Sequence, residues 1–296
     1  MWPPTSQRLV VAIPTYLNIT SLNRLFSAAI DVNGSPLSLN LILDFSNLAF
    51  ADENGVTVLS NLVDWLIKKR AHVTFGSSGG LTPGTVYLDD CGFFEVYWGK
   101  PLRAFASVRN TTMPFKRISP EHSFSWFDGN VFPWLAATLN LPLSRVKTLN
   151  SCTSEIFHNI RDHSTEKIGC MHIQHYPSLK KVGISISDFG VGIPTELGKR
   201  YHCDSDADAL ILATKYGVTS KPGGKNGGNG LAILVDQVVG LNAGMINLIS
   251  GFGRLVCLQN NGRIEKFADV SQQFYPGTLI NLKLNTDRLP DDEFEV

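Results

Sequence analysis

In the N-terminal half of the chain, short apolar runs alternate with stretches whose apolar residues recur every three or four positions. Residues 9–13 read as a short strand closed by Pro14, and residues 21–30 have helical spacing through Leu22, Leu25 and Ile30. Asn33-Gly34-Ser35-Pro36 marks a turn. Leu39-Asn40-Leu41-Ile42-Leu43-Asp44-Phe45 then reads as a strand apolar on both faces, as a parallel sheet requires. Residues 55–69 form a helix pattern through Val56, Leu59, Leu62, Val63 and Leu66, with Lys68, Lys69 and Arg70 where the helix dipole favours cations. His72 to Phe75 is the next strand, and residues 86–96 carry a further helical pattern. Alternating strands and helices predict an α/β sandwich.

Residues 109–120 hold prolines and polar residues without a period, so the expected division is a first domain over 1–108, a linker over 109–125 and a second domain over 126–290. An acidic tail, 291–296, closes the chain. In the second domain, residues 126–139 and 143–164 read as helices. The aromatics Trp126, Phe127, Phe132 and Trp134 of the first suit core packing, with an interface as the alternative. Residues 170–175 and 181–188 read as a strand pair joined at Tyr176-Pro177-Ser178. A helix over 206–215, a glycine-rich run over 223–230, a helix over 232–239 and strands over 245–248, 255–258 and 279–284 complete the pattern.

Charge adds an exclusion. Lys plus Arg and Asp plus Glu both number 26, so no basic footprint argues for nucleic acid. The five cysteines, Cys91, Cys152, Cys170, Cys203 and Cys257, contain no C-x-x-C pair and suit neither a zinc site nor a disulfide framework. No apolar run reaches membrane-spanning length and Met1-Trp2-Pro3-Pro4 does not begin a signal peptide, so a cytoplasmic protein without a membrane partner is expected.

Three stretches carry candidate chemistry. In Ser154-Glu155-Ile156-Phe157-His158-Asn159-Ile160-Arg161-Asp162-His163, a helix places Glu155, Asn159 and Asp162 along one edge at i, i+4 and i+7. Two acids and an amide there suit an oxygen-loving cation such as Mg2+ and a water to be activated; an amphipathic helix meeting solvent is the plainer alternative. Ser187-Asp188-Phe189-Gly190-Val191-Gly192-Ile193-Pro194 follows the apolar run 182–186. Gly223-Gly224-Lys225-Asn226-Gly227-Gly228-Asn229-Gly230-Leu231 precedes an apolar helix, in the manner of a phosphate-facing loop or a mobile lid.

In this order, E-x-x-x-N-x-x-D-H, D-x-G-x-G-I and G-x-G-L closely resemble the N, G1 and G2 boxes of the GHKL, or Bergerat-fold, ATP-binding domains. That group includes gyrase B, Hsp90, MutL, sensor histidine kinases and the anti-sigma factor serine kinases. The resemblance implies a mixed sheet covered by helices, with ATP and Mg2+ as cofactors. It implies that Asn159 and Glu155 hold the metal, that Glu155 also polarises the attacking hydroxyl or water, and that Asp162 belongs to the same binding edge. Asp188 would accept a hydrogen bond from the adenine amino group, which suits an acceptor-only carboxylate. Gly190 and Gly192 would let backbone approach the base. Gly228, Gly230, Leu231, Lys221 and Lys225 would attend the phosphates. Gly277-Thr278, read as opening a strand, is similar to the late Gly-Thr that completes the adenine contact.

The run Leu43-Asp44-Phe45-Ser46-Asn47-Leu48-Ala49-Phe50-Ala51-Asp52-Glu53-Asn54-Gly55-Val56 resembles a STAS domain, the fold of anti-sigma factor antagonists. The likeness extends through Leu88-Asp89-Asp90-Cys91-Gly92-Phe93-Phe94. Phosphorylatable members resemble D-S-S-G where this chain reads Asp52-Glu53-Asn54-Gly55, so Glu53 replaces the phosphoacceptor serine. Glu53 either imitates the phosphate's charge or caps and charge-stabilises the first helical turn. The two resemblances together imply a Mg2+-dependent ATPase or protein serine/threonine kinase acting on a STAS-type or sigma-factor-like partner. The alternative is a non-catalytic ATP-controlled switch of a protein interaction surface, and a homodimer is left open. A sensor histidine kinase fits less well, because no helical phosphoacceptor hairpin precedes the second domain.

Overall fold

The structure is a computed structural model that describes residues 8–31, 34–117, 127–147, 168–219 and 228–289. The chain divides between Arg109 and Asn110 into two compact units. Parallel and antiparallel sheets, each with helices, make the protein α/β in class.

The first unit holds a three-stranded parallel sheet in the order β1-β3-β5, from β1 (Leu9–Ala12), β3 (Asn40–Asp44) and β5 (His72–Gly76). A second pair, β2 (Tyr16–Leu17) and β4 (Phe50–Ala51), is also parallel. Both were too short to leave an apolar pattern. Helix α1 (Leu22–Ala29) buries Leu22, Leu25, Phe26 and Ala29. Helix α2 (Glu53–Lys68) starts two residues before the expected Gly55, because Asp52 is its N-cap and accepts from the Gly55 N–H at 2.9 Å. A carboxylate cap satisfies one of the orphan donors of the first turn. Capping therefore falls to Asp52, and Glu53 lies fully buried in the first turn.

The single helix expected over 86–96 is two, α3 (Pro83–Asp90) and α4 (Phe93–Trp98). Gly92 between them has φ +87°, a conformation that ends α3 and that glycine adopts without strain. The break directs Phe93 and Phe94 into a ring cluster with Phe45 and Phe75, at centroid distances of 5.4 to 6.0 Å. After α4, Asp89 holds the chain by accepting from the backbone N–H of Leu102 at 2.7 Å and from Arg103 Nε at 3.0 Å.

The second unit is built on a five-stranded sheet in the order β6-β7-β8-β10-β9. Its strands are β6 (Lys116–Arg117), β7 (Ile168–Tyr176), β8 (Lys181–Phe189), β9 (Met245–Asn260) and β10 (Arg263–Asn285). Every pairing among them is antiparallel, so the expected mixed sheet is corrected for the described residues. The expected linker is corrected in part as well: Met113 donates to the Ile173 carbonyl at 3.0 Å, and β6 pairs with β7.

One face of this sheet carries Met171, Ile173, Val182, Ile184, Ile186, Ile246, Leu248, Ile280, Leu282 and Leu284 into the core. Against them pack Phe132 and Leu135 of the helix Phe132–Leu139, Leu210 of Asp206–Ala213, and Leu234 and Val235 of Gly230–Val235. Phe132 is fully buried and Trp134 packs beside the core, which is the core-packing reading for these two; Trp126 and the Phe127 side chain lie outside the described residues. The expected strands 245–248 and 255–258 are one continuous strand, and 279–284 is the last part of another. Together β9 and β10 form a hairpin whose distal half runs past the end of β8.

The tightest joint in the first unit predicts a measurable cost. A Cβ on Gly55 would stand 2.2 Å from the Leu17 carbonyl oxygen, where α2 presses on β2. Gly55→Ala should therefore lower stability by about 1–3 kcal/mol in chemical denaturation, as overpacking does. An unchanged midpoint would show that α2 shifts freely at this contact.

Candidate functional site

Asp188 lies near the C-terminal end of β8, on the same face as Val182, Ile184 and Ile186 by strand alternation. It therefore continues the apolar row at the point where the sheet runs out. Its side is closed: Asp188 is 4 % exposed. Burial pushes its carboxyl up to about 7, against the opposing pull of the backbone N–H groups of Thr278 and of Asp188 itself.

Register supplies its neighbours. Thr278 of β10 stands opposite Asp188 on one side and opposite Ser250 of β9 on the other, so Asp188, Thr278 and Ser250 form one row across three strands. The row exists because β10 is irregular: its register with β9 shifts between Val270 and Tyr275 and again between Tyr275 and Thr278. Gly277, inside the second shift, has φ +123°. A Cβ there would lie 2.2 Å from the Asp188 carbonyl oxygen and 2.7 Å from the Gly190 nitrogen. Gly277-Thr278 is thus a mid-strand bulge pressed onto the turn after β8, which corrects its reading as a strand-initiating turn.

The turn itself is pinned from the other side. Ile193 donates its N–H to Ser250 Oγ at 2.9 Å, and Ser250 Oγ donates to the Gly277 carbonyl at 2.6 Å. Gly192 has φ +78°, and a Cβ on it would meet Ser250 Oγ at 2.7 Å. Its lack of a side chain serves the packing of the turn onto β9. Gly190 sits where Gly277 makes its close approach. Beneath the turn, Phe189 stacks edge-on with Tyr275 at 5.7 Å, and the Tyr275 hydroxyl bonds Ser187.

On the far side of the glycine-rich run, Gly228 has φ +74°, and a Cβ would meet the Val218 carbonyl at 2.5 Å. Asn229 Oδ1 accepts from the Gly217 N–H at 2.8 Å, so the described end of the run folds back against residues 217–219. Gly230 and Leu231 begin the next helix, with Leu231 packed beside the core. Glu155, Asn159 and Asp162 lie outside the described residues, as do Lys221 and Lys225. The structure therefore brings together Asp188, Gly190, Gly192 and Thr278 of the expected site.

Sequence reading missed Ser250, Tyr275 and Asp206. Asp206 Oδ2 accepts from the Phe252 N–H at 2.7 Å and stands where a Cβ on Gly251 would be. The one available signal was a lone serine followed by glycine within an otherwise apolar strand run. Its meaning depends on the register with β10, which the sequence does not display. Comparison with protein-family models gives no match, and comparison with curated proteins gives none either.

The buried carboxyl has a pH signature. A carboxyl whose native pKa is raised contributes stability that is fully present below its unfolded value and is lost as pH rises through the native value. The window here runs from 3.8 to about 7. Asp188→Asn removes that titration, so its melting temperature should gain on the parent's as pH rises from about 5 to about 8. A difference that stays constant over that range would show that Asp188 does not titrate there.

Proposed function

We propose that the chain is a Mg2+-dependent ATP-binding protein of GHKL type, a Bergerat-fold unit preceded by a STAS-like unit, that transfers the γ-phosphoryl group of ATP to water or to a protein hydroxyl. The observation that carries the reading is the row Asp188–Thr278–Ser250, closed by Gly192 and Gly277 at contacts no side chain would permit. A buried carboxylate at the end of an apolar face, with a hydroxyl beside it, suits a flat base bearing an exocyclic amino group.

In this reading the described residues hold the base end. Asp188 accepts from the amino group, and the turn at Gly190 and Gly192 lies alongside it. Asn159 and Glu155 would hold Mg2+, which when bound offsets charge on the phosphates. Asp162 shares their edge, and Lys221, Lys225, Gly228, Gly230 and Leu231 attend the phosphates. Glu155 would take the proton of the attacking hydroxyl as general base. The STAS-like unit suggests a protein partner of the STAS or sigma-factor type.

Calorimetric titration with ATP and Mg2+ tests the binding half. Asp188→Asn should weaken ATP by about ten- to a hundredfold, the loss of one charge-assisted hydrogen bond. Unchanged affinity in a folded variant would remove Asp188 from the site. Release or transfer of labelled γ-phosphate tests the chemistry. Glu155→Ala should keep ATP bound and slow turnover about a hundred- to ten-thousandfold, whereas Asn159→Ala should impair Mg2+-dependent binding itself. Parental turnover in Glu155→Ala would place the base elsewhere and favour the nucleotide switch.

A further inference from the structure

Ser250 has a hydrogen-bond inventory that fixes the polarity of its neighbour. The side chain is fully buried, and its oxygen is 2.9 Å from the Ile193 nitrogen, 2.6 Å from the Gly277 carbonyl and 3.2 Å from Thr278 Oγ1. A serine hydroxyl has one proton to donate and two lone pairs to accept with. The Gly277 carbonyl can only accept, so the Ser250 proton goes there. The Ile193 amide can only donate, so it takes one lone pair. One lone pair remains, and the contact with Thr278 then has Thr278 as the donor.

Thr278 is half-buried, whereas Ser250 is fully buried. With its proton directed to Ser250, the Thr278 hydroxyl offers only lone pairs to whatever enters beside Asp188. The row thus presents two acceptors, a carboxylate and a hydroxyl oxygen. An exocyclic amino group has two N–H bonds to match them. A ring nitrogen with a bare lone pair faces repulsion from the same oxygen.

We propose that Ser250 is a positioning residue of the nucleotide site, which holds the Thr278 proton and so leaves the Thr278 oxygen as an acceptor for the amino group of the base. The inference rests on the ATP-binding reading and adds to it the element that sets base selectivity. Ser250 itself touches no ligand; it acts through Thr278 and through the backbone of Gly277 and Ile193.

The test compares ATP with purine riboside triphosphate, which differs by lacking the 6-amino group, in titrations of the full chain. The readout is the ratio of the two affinities, which a merely structural role would leave unmoved because both ligands would weaken alike. Thr278→Val keeps the shape and both other bonds of Ser250 but removes one acceptor. The preference for ATP should fall about three- to tenfold, the range of one neutral hydrogen bond. Ser250→Ala releases the Thr278 proton, lets that hydroxyl donate to a ring nitrogen, and should lower the ratio by a similar factor. Ser250→Thr, which keeps the hydroxyl, should restore the parental ratio.

An unchanged or raised ratio in Thr278→Val overturns the proposal, and that variant decides the matter alone if Ser250→Ala does not fold. A folded Ser250→Ala with the parental ratio overturns it as well. A parent that binds neither triphosphate overturns the nucleotide reading itself. A parent that binds ATP, beside variants with unaltered ratios, overturns only the role of Ser250.

Discussion

The second unit depends on one close approach: β10 passes the end of β8 at Gly277 with no space for a side chain between them. Everything at the candidate site follows from that contact. The bulge that permits it puts Thr278 in register with both Asp188 and Ser250. Ser250 can then bond the Gly277 carbonyl and the Ile193 amide at once, which fixes the turn after β8. The next residue along β9, Gly251, lies against Asp206, whose carboxylate receives the Phe252 amide and ties the helix Asp206–Ala213 to the sheet. A bulge in a strand breaks ladder bonds and leaves backbone groups to be satisfied elsewhere. Here a single serine hydroxyl satisfies the Gly277 carbonyl of the bulge and, with a lone pair, the Ile193 amide of the turn.

Asp188 shows the cost of the arrangement. A carboxyl removed from water, with the backbone N–H groups of Thr278 and of Asp188 itself beside it, is pushed up to about 7. Such a group is not a stabilising feature at high pH.

Much of the architecture was legible because it is written in local periods. The parallel strands β3 and β5 and the pair β7 and β8 come from apolar runs bounded by turn residues, and α2 from its three- and four-residue spacing. What escaped was set by backbone geometry or by partners distant in sequence. The break at Gly92 needs a positive φ that a helical pattern does not reveal. The continuity of β9 was hidden by Ser250, Gly251 and Gly253, which look like a loop in sequence and are buried by contacts with Gly277 and Asp206. Of the site, Asp188 stood out as an acid directly after an apolar strand, and the row it belongs to did not. In the first unit the apolar spacing placed α2 but put its start at Gly55, two residues late, and the division of labour between Asp52 and Glu53 is structural. Asp52 caps, and Glu53 is enclosed in the first turn, at the positive end of the helix.

The central claim is that the turn after β8 and the bulge of β10 form the base end of an ATP site. Amide hydrogen exchange of the full chain, with and without ATP and Mg2+, tests it most directly. The account predicts slowed exchange at residues 190–192 on addition of ATP, since a bound base would shield the amides of a turn that Ile193 already ties to Ser250. Binding of ATP with no slowing in that turn, or with slowing confined to the first unit, would contradict it.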